Sequence, residues 1–368
     1  MNTGTPRVAV IGAGIVGLSA AYALRQRGAD VVVFERGEPG NGQSGGDSRL
    51  FRHAHDDPRM VDWAVRSRAI WTEWEQQFGV ELVSRDGAVA LGPSVDERLP
   101  LLQEAGVPAR RIEAAEAVDH LPILAGGDLD DPPAMFDETG GAIRTRAAIR
   151  SLAGTLGARL VTDEVLALRP VGSGVEVRAG GIGQTYDRVV VCAGQGTSAL
   201  ARQVGLSLPV DLQAHVRSTF AVRGEPPANL ACLQDSSGAF GETGIYAAAT
   251  PGNTTYAVGL SETVEVRDDA SIVDPSELAE HEQRVRAYVE RALPGLDPEP
   301  VASRHCWVTA LPWSDDGVAV WRTGGAFFLA GHNLFKQAPA LGRALAAAAL
   351  DDVLVDDLHP DARLGAPR

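Results

Sequence analysis

The sequence predicts an α/β protein: a parallel, doubly wound domain assembled from separate stretches of chain, with an α+β domain on a mostly antiparallel sheet inserted into it. Three observations predict this. An apolar strand from Val8 runs into Gly12-x-Gly14-x-x-Gly17, a helical pattern follows to about Arg27, and a second strand spans Asp30–Glu35. Two later apolar strands, Val189–Ala193 and Phe327–Ala330, also end at glycines, Gly194 and Gly331. Between them, Leu208–Val273 alternates apolar and polar residues, with turns at Gly224, Ser236-Ser-Gly238 and Gly252-Asn253. That period of two suits antiparallel strands buried on one face.

The first βαβ unit has parts with separate physical jobs. Gly12 permits a tight turn, Gly14 lets the backbone approach a pyrophosphate, and Gly17 lets helix and strand pack closely. The helix start at Ile15 and Val16 offers unpaired N–H groups and a positive dipole end. Glu35, eighteen residues after Gly17, is placed to hold a ribose diol, with Arg36 beside it. Strand, glycines, helix, strand and acid in this order predict a Rossmann-like dinucleotide site. Val8–Leu24 is apolar enough to suggest a signal segment, but three glycines and an immediate second strand argue against one.

The remaining elements follow in order. Leu82–Leu91 reads as paired strands turning at Arg85-Asp86-Gly87, and Pro93–Glu116 as a charged helix. Leu121–Gly141, rich in Pro, Gly and Asp, reads as loop. Arg144–Leu156 is a helix and Arg159–Leu168 a strand. Val175–Arg178 and Gln184–Arg188 form a hairpin leading into Val189–Ala193. Pro275–Leu293 is an amphipathic helix, with Leu278, His281, Val285, Tyr288 and Val289 on one side. Ala340–Leu354 is the last helix, and Pro360–Arg368 reads as a frayed tail. The dinucleotide domain is expected over 1–84, 143–207 and 309–368, and the inserted domain over 85–142 and 208–308.

Composition bounds the rest. The 368 residues carry a net charge of −15, which disfavours nucleic acid and anionic membranes as partners. No segment is apolar enough to span a bilayer. Three cysteines without metal-type spacing fit a reducing cytoplasm, and the scattered histidines suggest no metal site. A monomer is the simplest expected state.

Four further segments complete a pattern with the opening fingerprint: Ser44-Gly-Gly-Asp47-Ser48-Arg49-Leu50-Phe-Arg52-His53, Val191-Cys-Ala193-Gly194, His305-Cys306-Trp-Val-Thr309 and Ala330-Gly331-His332-Asn333-Leu334-Phe335-Lys336. With these, nearly the whole chain resembles the glycine/D-amino-acid oxidase family of flavoproteins, closest to the group of monomeric sarcosine oxidase and N-methyltryptophan oxidase. The resemblance implies a Rossmann-like FAD-binding domain and FAD rather than NAD. It implies that Arg49 lies against the flavin and that Arg52 and Lys336 bind a substrate carboxylate. It implies a thioether from Cys306 to the flavin 8α-methyl. It further implies FAD contacts from Ser44, Asp47, Ser48, Leu50, Val165, Ala193, Gly194, Gly331 and the Asn333–Lys336 segment. Tyr246 and His332 join the expected catalytic set, and His215, Trp307 and Trp313 are candidate pocket residues. The last helix, starting near Gln337, would point its positive end at the flavin.

The implied substrate is a small amino-acid-like molecule, with oxygen or another acceptor taking the electrons. Its C–N bond would be oxidised to an imine by hydride transfer to flavin N5. Two departures bear on this. Gly45 replaces a histidine, and Ala257 stands where the family has a lysine that promotes reaction with oxygen; Lys336 is the only lysine in the chain. Alternatives stay open: a dehydrogenase using a quinone or carrier protein, an oxidase of an unusual biosynthetic intermediate, or a non-catalytic FAD-binding subunit.

Overall fold

The computed structural model describes residues 5–125, 132–267 and 269–367. By packing, the chain divides into two units. The first comprises Met1–Gly45, Arg146–Asp211 and Thr309–Arg368; the second comprises Gly46–Thr145 and Leu212–Val308.

The first unit is built on a six-stranded sheet in the order Val318–Thr323, Ala326–Gly331, Arg188–Val191, Arg7–Ile11, Asp30–Glu35, Leu160–Thr162. Only the first pair is antiparallel. Val8–Val10, Val189–Val191 and Phe327–Phe328 are continuous apolar runs and fully buried, as strands covered on both faces require. Ile11 pairs with Val191 and Phe34. The strand ends carrying Gly12, Cys192 and Glu35 therefore lie together at the carboxyl edge, where doubly wound sheets bind ligands.

Helix Ile15–Gln26 buries ten consecutive residues, Ile15 to Leu24. Helix Ala338–Asp351 packs against it so closely that a Cβ on Gly342 would lie 2.5 Å from the Ser19 carbonyl carbon.

Two expectations change in this unit. Arg159–Leu168 is two strands. Leu160–Thr162 joins the six-stranded sheet, whereas Val165–Val171 joins Gly174–Ala179 and Ile182–Tyr186 in a separate three-stranded sheet. Polar Asp163 and Glu164 make the corner, with Glu164 N–H bonded to Asp163 Oδ1 at 2.8 Å. The tail is tied down as far as Leu364, which is buried. Its carbonyl accepts from Val318 N–H (3.2 Å) and Trp313 Nε1 (3.1 Å). Trp313 is thus a strut for the tail. Arg368 lies outside the described residues.

The second unit carries a larger sheet, ordered Val264–Glu265, Asp211–Val222, Thr255–Leu260, Ile245–Ala249, Cys232–Asp235, Ala88–Leu91, Ala134–Asp137, Ala109–Ile112, with Leu296–Ala310 also paired to Asp211–Val222. Along that path the pairing is antiparallel except between Cys232–Asp235 and Ala88–Leu91. One face shares a core with helix Pro275–Ala292 through Val285, Tyr288 and Val289. The helix starts where Asp274 accepts from Ser276 N–H at 2.8 Å, with Pro275 next.

Residues 46–84, expected with the dinucleotide domain, pack in this second unit. Ser48–Phe51 pairs there with Gly141–Arg144. Leu82–Leu91 contains one strand, Ala88–Leu91; Val83 makes only an isolated bridge to Ile143. The Pro93–Glu116 helix is shorter, Ser94–Glu104, because Gly106 (φ 74°) and Pro108 end it. Ala109–Ile112, in the stretch read as helix, becomes an edge strand on Ala134–Asp137, which is itself a strand inside the stretch read as loop. Residues 126–131 of that stretch lie outside the described residues.

Asp137 is a buried node of this unit. Its Oδ2 accepts from His53 Nδ1 (2.9 Å) and His53 N–H (3.1 Å). Its Oδ1 accepts from Gly140 N–H (3.0 Å) and Thr139 N–H (3.2 Å). Burial pushes the carboxyl up, but the bond and charge of His53 outweigh it, and the group sits below the usual carboxylate range. Arg52, one residue before His53, has its backbone fixed by the same node.

Candidate functional site

In the first unit the glycine loop has the shape expected of a phosphate cradle. Gly12 adopts φ 98°, and a Cβ there would lie 2.4 Å from Cys192 O. A Cβ on Gly17 would lie 2.0 Å from Gly12 O. Both are glycine because the protein itself fills the space. Gly14 differs: a Cβ would meet only Ser44 Oγ, at 3.2 Å. Its bareness leaves the helix start open to a ligand.

The carboxylate of Glu35 accepts from Ala13 N–H (2.8 Å) and Gly37 N–H (3.0 Å). It is thereby held at the mouth of the loop. Ser44 Oγ accepts from Ile15 N–H at 3.0 Å. Val16 is buried and Arg36 exposed. Val165 lies two residues after Asp163, whose N–H donates to Glu35 O (2.9 Å).

Across the sheet edge, Cys192 follows its strand directly, with N–H bonded to Ile11 O at 2.8 Å. Desolvation pushes its thiol up to about 12. Ala193 leads to Gly194 (φ 56°), over which Gln43 lies: a Cβ there would be 2.5 Å from Gln43 Oε1. Gln43 Nε2 donates to Thr309 Oγ1 (3.2 Å), and that hydroxyl donates to Gly331 O (2.6 Å). The open cradle at Gly14, the adjacent acid and this second wall fit a dinucleotide.

Further along, Asn333 adopts φ 55° and its Nδ2 donates to Asp316 Oδ1 at 2.7 Å. This turns the chain so that Phe335 and Lys336 are buried, with Lys336 Nζ donating to Asn333 O (3.1 Å). His332 and Leu334 are half-buried. The last helix starts at Ala338, just after Gln337.

The second unit holds a different cluster. Tyr246, Gly259 and Arg217 form one row across three strands: Tyr246 pairs with Gly259, and Gly259 with Arg217. The Tyr246 ring lies over Gly259, where a Cβ would approach it to 2.3 Å. Its hydroxyl meets His215 Nε2 at 3.2 Å. Burial, and next the neighbouring Cys306, push the tyrosine well above its ordinary value, against the lowering charges of Arg217 and Arg49.

Arg217 Nη1 donates to Ser48 O (2.6 Å) and Nη2 to Ser48 Oγ (3.3 Å), and Ser48 Oγ donates to Ala248 O (3.3 Å). The Arg49 and Arg304 guanidiniums flank Gly46. Burial, and next the charge of Arg217, lower Arg49 to about 10. Cys306 is buried and free in Leu296–Ala310, within electrostatic reach of Arg49 and Tyr246. The sites of Ser48, Arg49, Tyr246 and Cys306 are thus brought together; Leu50 and Arg52 follow on the same strand and just beyond it, and Asp47 is exposed.

Sequence reasoning missed Arg217, Arg304 and Gln43. Period two carried the signal for the first: Val216 and Phe220 face the core, so His215, Arg217 and Thr219 share the other face.

A sequence profile of the FAD dependent oxidoreductase family, DAO, matches residues 7–348. The chain belongs to this family. Among its relatives, monomeric sarcosine oxidase of Bacillus sp. (strain B-0618) is 27% identical over 217 residues, which span 55% of each chain. The match thus covers about half the length of that relative. Human peroxisomal sarcosine oxidase is 26% identical over 372 residues, 91% of this chain and 90% of that protein. The solved structure of NikD, described as an unusual amino acid oxidase essential for nikkomycin biosynthesis, superposes with a TM-score of 0.80 at 20% identity, over 99% of this chain and 98% of that one. The fold is therefore that of DAO-family flavoenzymes. Among the described residues no helix is long and apolar enough to cross a membrane.

Proposed function

We propose that the protein oxidises the C–N bond next to the carboxylate of an amino acid, or of a secondary or cyclic amine acid, to an imine. The observation that carries the reading is the row of Arg217, Gly259 and Tyr246 with Arg49 and Cys306, a preformed positive cluster in a chain of net charge −15. FAD supplies the two-electron acceptor. Gly12–Gly17 would hold its pyrophosphate and Glu35 its ribose. Arg52 supplies a guanidinium fork and Lys336 a point charge for the substrate carboxylate. They orient the α-carbon and leave the amine neutral, so that no separate base is needed. Three free cysteines support a reducing, cytoplasmic setting.

The carboxylate assignment is tested with substrate esters. Arg52→Met is expected to raise KM by tenfold or more, since losing one partner of a buried charge pair costs ~2–5 kcal/mol. Esterification should hurt the wild type far more than the variant. Equal turnover of acid and ester by the wild type removes the assignment.

We assign a thioether between Cys306 and the flavin. Acid-precipitated wild-type protein should keep its colour in the pellet, and Cys306→Ser should release it. Wild-type flavin found wholly in the supernatant leaves Cys306 as a core thiol.

A second reading, a dehydrogenase passing electrons to a non-oxygen acceptor, is favoured by Ala257, buried opposite Thr219 and Ala248. Oxygen uptake compared with dye reduction at equal substrate separates the two.

A further inference from the structure

Arg217 is a buried charge with only neutral partners. It is 4% exposed, and its guanidinium donates to the carbonyl and the hydroxyl of Ser48. Its Nε is buried without a partner. Among the described residues no ion pair joins it to a carboxylate. Arg49 and Arg304 add like charge nearby. A guanidinium held this way loses hydration without Coulombic return. A structural role in bonding Ser48 would be served as well by a neutral amide. The arrangement therefore points to an anionic or electron-accepting group that arrives from outside the chain.

The sheet shows where that group lies. Arg217, Gly259 and Tyr246 form one cross-strand row; Thr219, Ala257 and Ala248 form the next row on the same face. The Tyr246 ring covers Gly259 and Ala248 packs with Ala142 and Leu50, which leaves Ala257 as the small residue beside the guanidinium. Ala257 lacks a charge, and Arg217 stands one row along on a neighbouring strand.

We propose that Arg217 is the fixed positive charge that tunes the bound flavin, set from the strand beside Ala257 rather than at Ala257 itself. This rests on the flavoprotein reading above. A fixed cation beside an electron acceptor stabilises the charge that reduction adds, because the donor is already oriented and little water screens it. Arg217 thus raises the midpoint potential of the flavin and favours ionisation of its N3–H.

The test separates charge from hydrogen bonding. Arg217→Gln keeps a donor for Ser48 and removes the charge; Arg217→Lys keeps the charge. Both are made in the holoenzyme and read by spectroelectrochemical titration and by the absorbance pKa of flavin N3–H. The glutamine variant should lower the reduction equilibrium by tenfold or more, about 30 mV for a two-electron couple, and raise the N3–H pKa. The lysine variant should stay within a few millivolts of the wild type, well short of the ~30 mV shift. Equal shifts in both variants, or none in glutamine, overturn the proposal and leave Arg217 as a tie to Ser48. Should the glutamine variant fail to fold, a wild-type N3–H pKa no lower than that of free FAD, or a lysine variant displaced from the wild type, overturns it just as well. Wild-type protein without flavin fails the broader reading instead, a result visible before any variant is made.

Discussion

Gly14→Val is expected to yield a folded protein without FAD. The neighbouring glycines cannot separate binding from folding. Gly12→Ala would need φ 98° and drive a methyl to 2.4 Å from Cys192 O, and Gly17→Ala would place one 2.0 Å from Gly12 O. Both substitutions break the loop itself. Gly14 has extended backbone (φ −69°, ψ 173°), which any residue adopts, and its only close neighbour is the tip of Ser44. Valine there costs the protein little and fills the space the pyrophosphate needs. Purified variant should show native far-UV circular dichroism and no flavin absorbance. Cys306→Ser apoprotein, which cannot form the thioether, should gain about 2.7 kcal/mol at FAD a hundredfold above Kd, and the same protein carrying Gly14→Val none. Full flavin occupancy in Gly14→Val would remove the loop from the cofactor site.

Asp137→Ala should be the most damaging single change to the second unit. It removes the acceptor of two buried His53 donors and releases the turn at Thr139-Gly140. Removing one partner of such a pair costs ~3–5 kcal/mol, a large part of a typical stability of ~5–15 kcal/mol. The carboxyl is depressed in the folded state. Its contribution is therefore full above the ordinary carboxylate range and is lost as pH falls below that range through the lower folded value. Asp137→Asn keeps an acceptor but cannot titrate. Its melting temperature should fall less steeply with acidification than that of the wild type. Parallel acid slopes would show that other carboxylates govern the acid limb.

The glycine fingerprint made the first unit legible because each glycine answers a steric demand that no other residue meets. The long strand alternation made the second sheet legible for a similar reason: half-burial imposes period two. Short elements escaped. Ala109–Ile112 is four residues with two exposed arginines, and only its pairing to Ala134–Asp137 makes it a strand. Residues 46–84 escaped because sequence order places them after a βαβ unit, whereas pairing of Ser48–Phe51 with Gly141–Arg144 decides their unit. At the site, motif matches pointed to Arg49, Arg52, Cys306 and Lys336. Arg217 lies outside every motif. Its significance comes from burial and from having no carboxylate partner among the described residues, which composition does not reveal.

The contact of Ser19 with Gly342 sets a schedule for synthesis. Helix Ile15–Gln26 leaves the ribosome early, yet the helix that covers it begins at Ala338. At ~5–20 residues per second, translating the intervening stretch of about 300 residues takes roughly 15–60 s. For that interval one of the most apolar helices in the chain lacks the helix that covers it. The strands from Arg188 and Ala326, which complete its sheet, arrive late as well. A nascent chain stalled before Ala338 should therefore be a client for holdase chaperones, and release should come with the last helix.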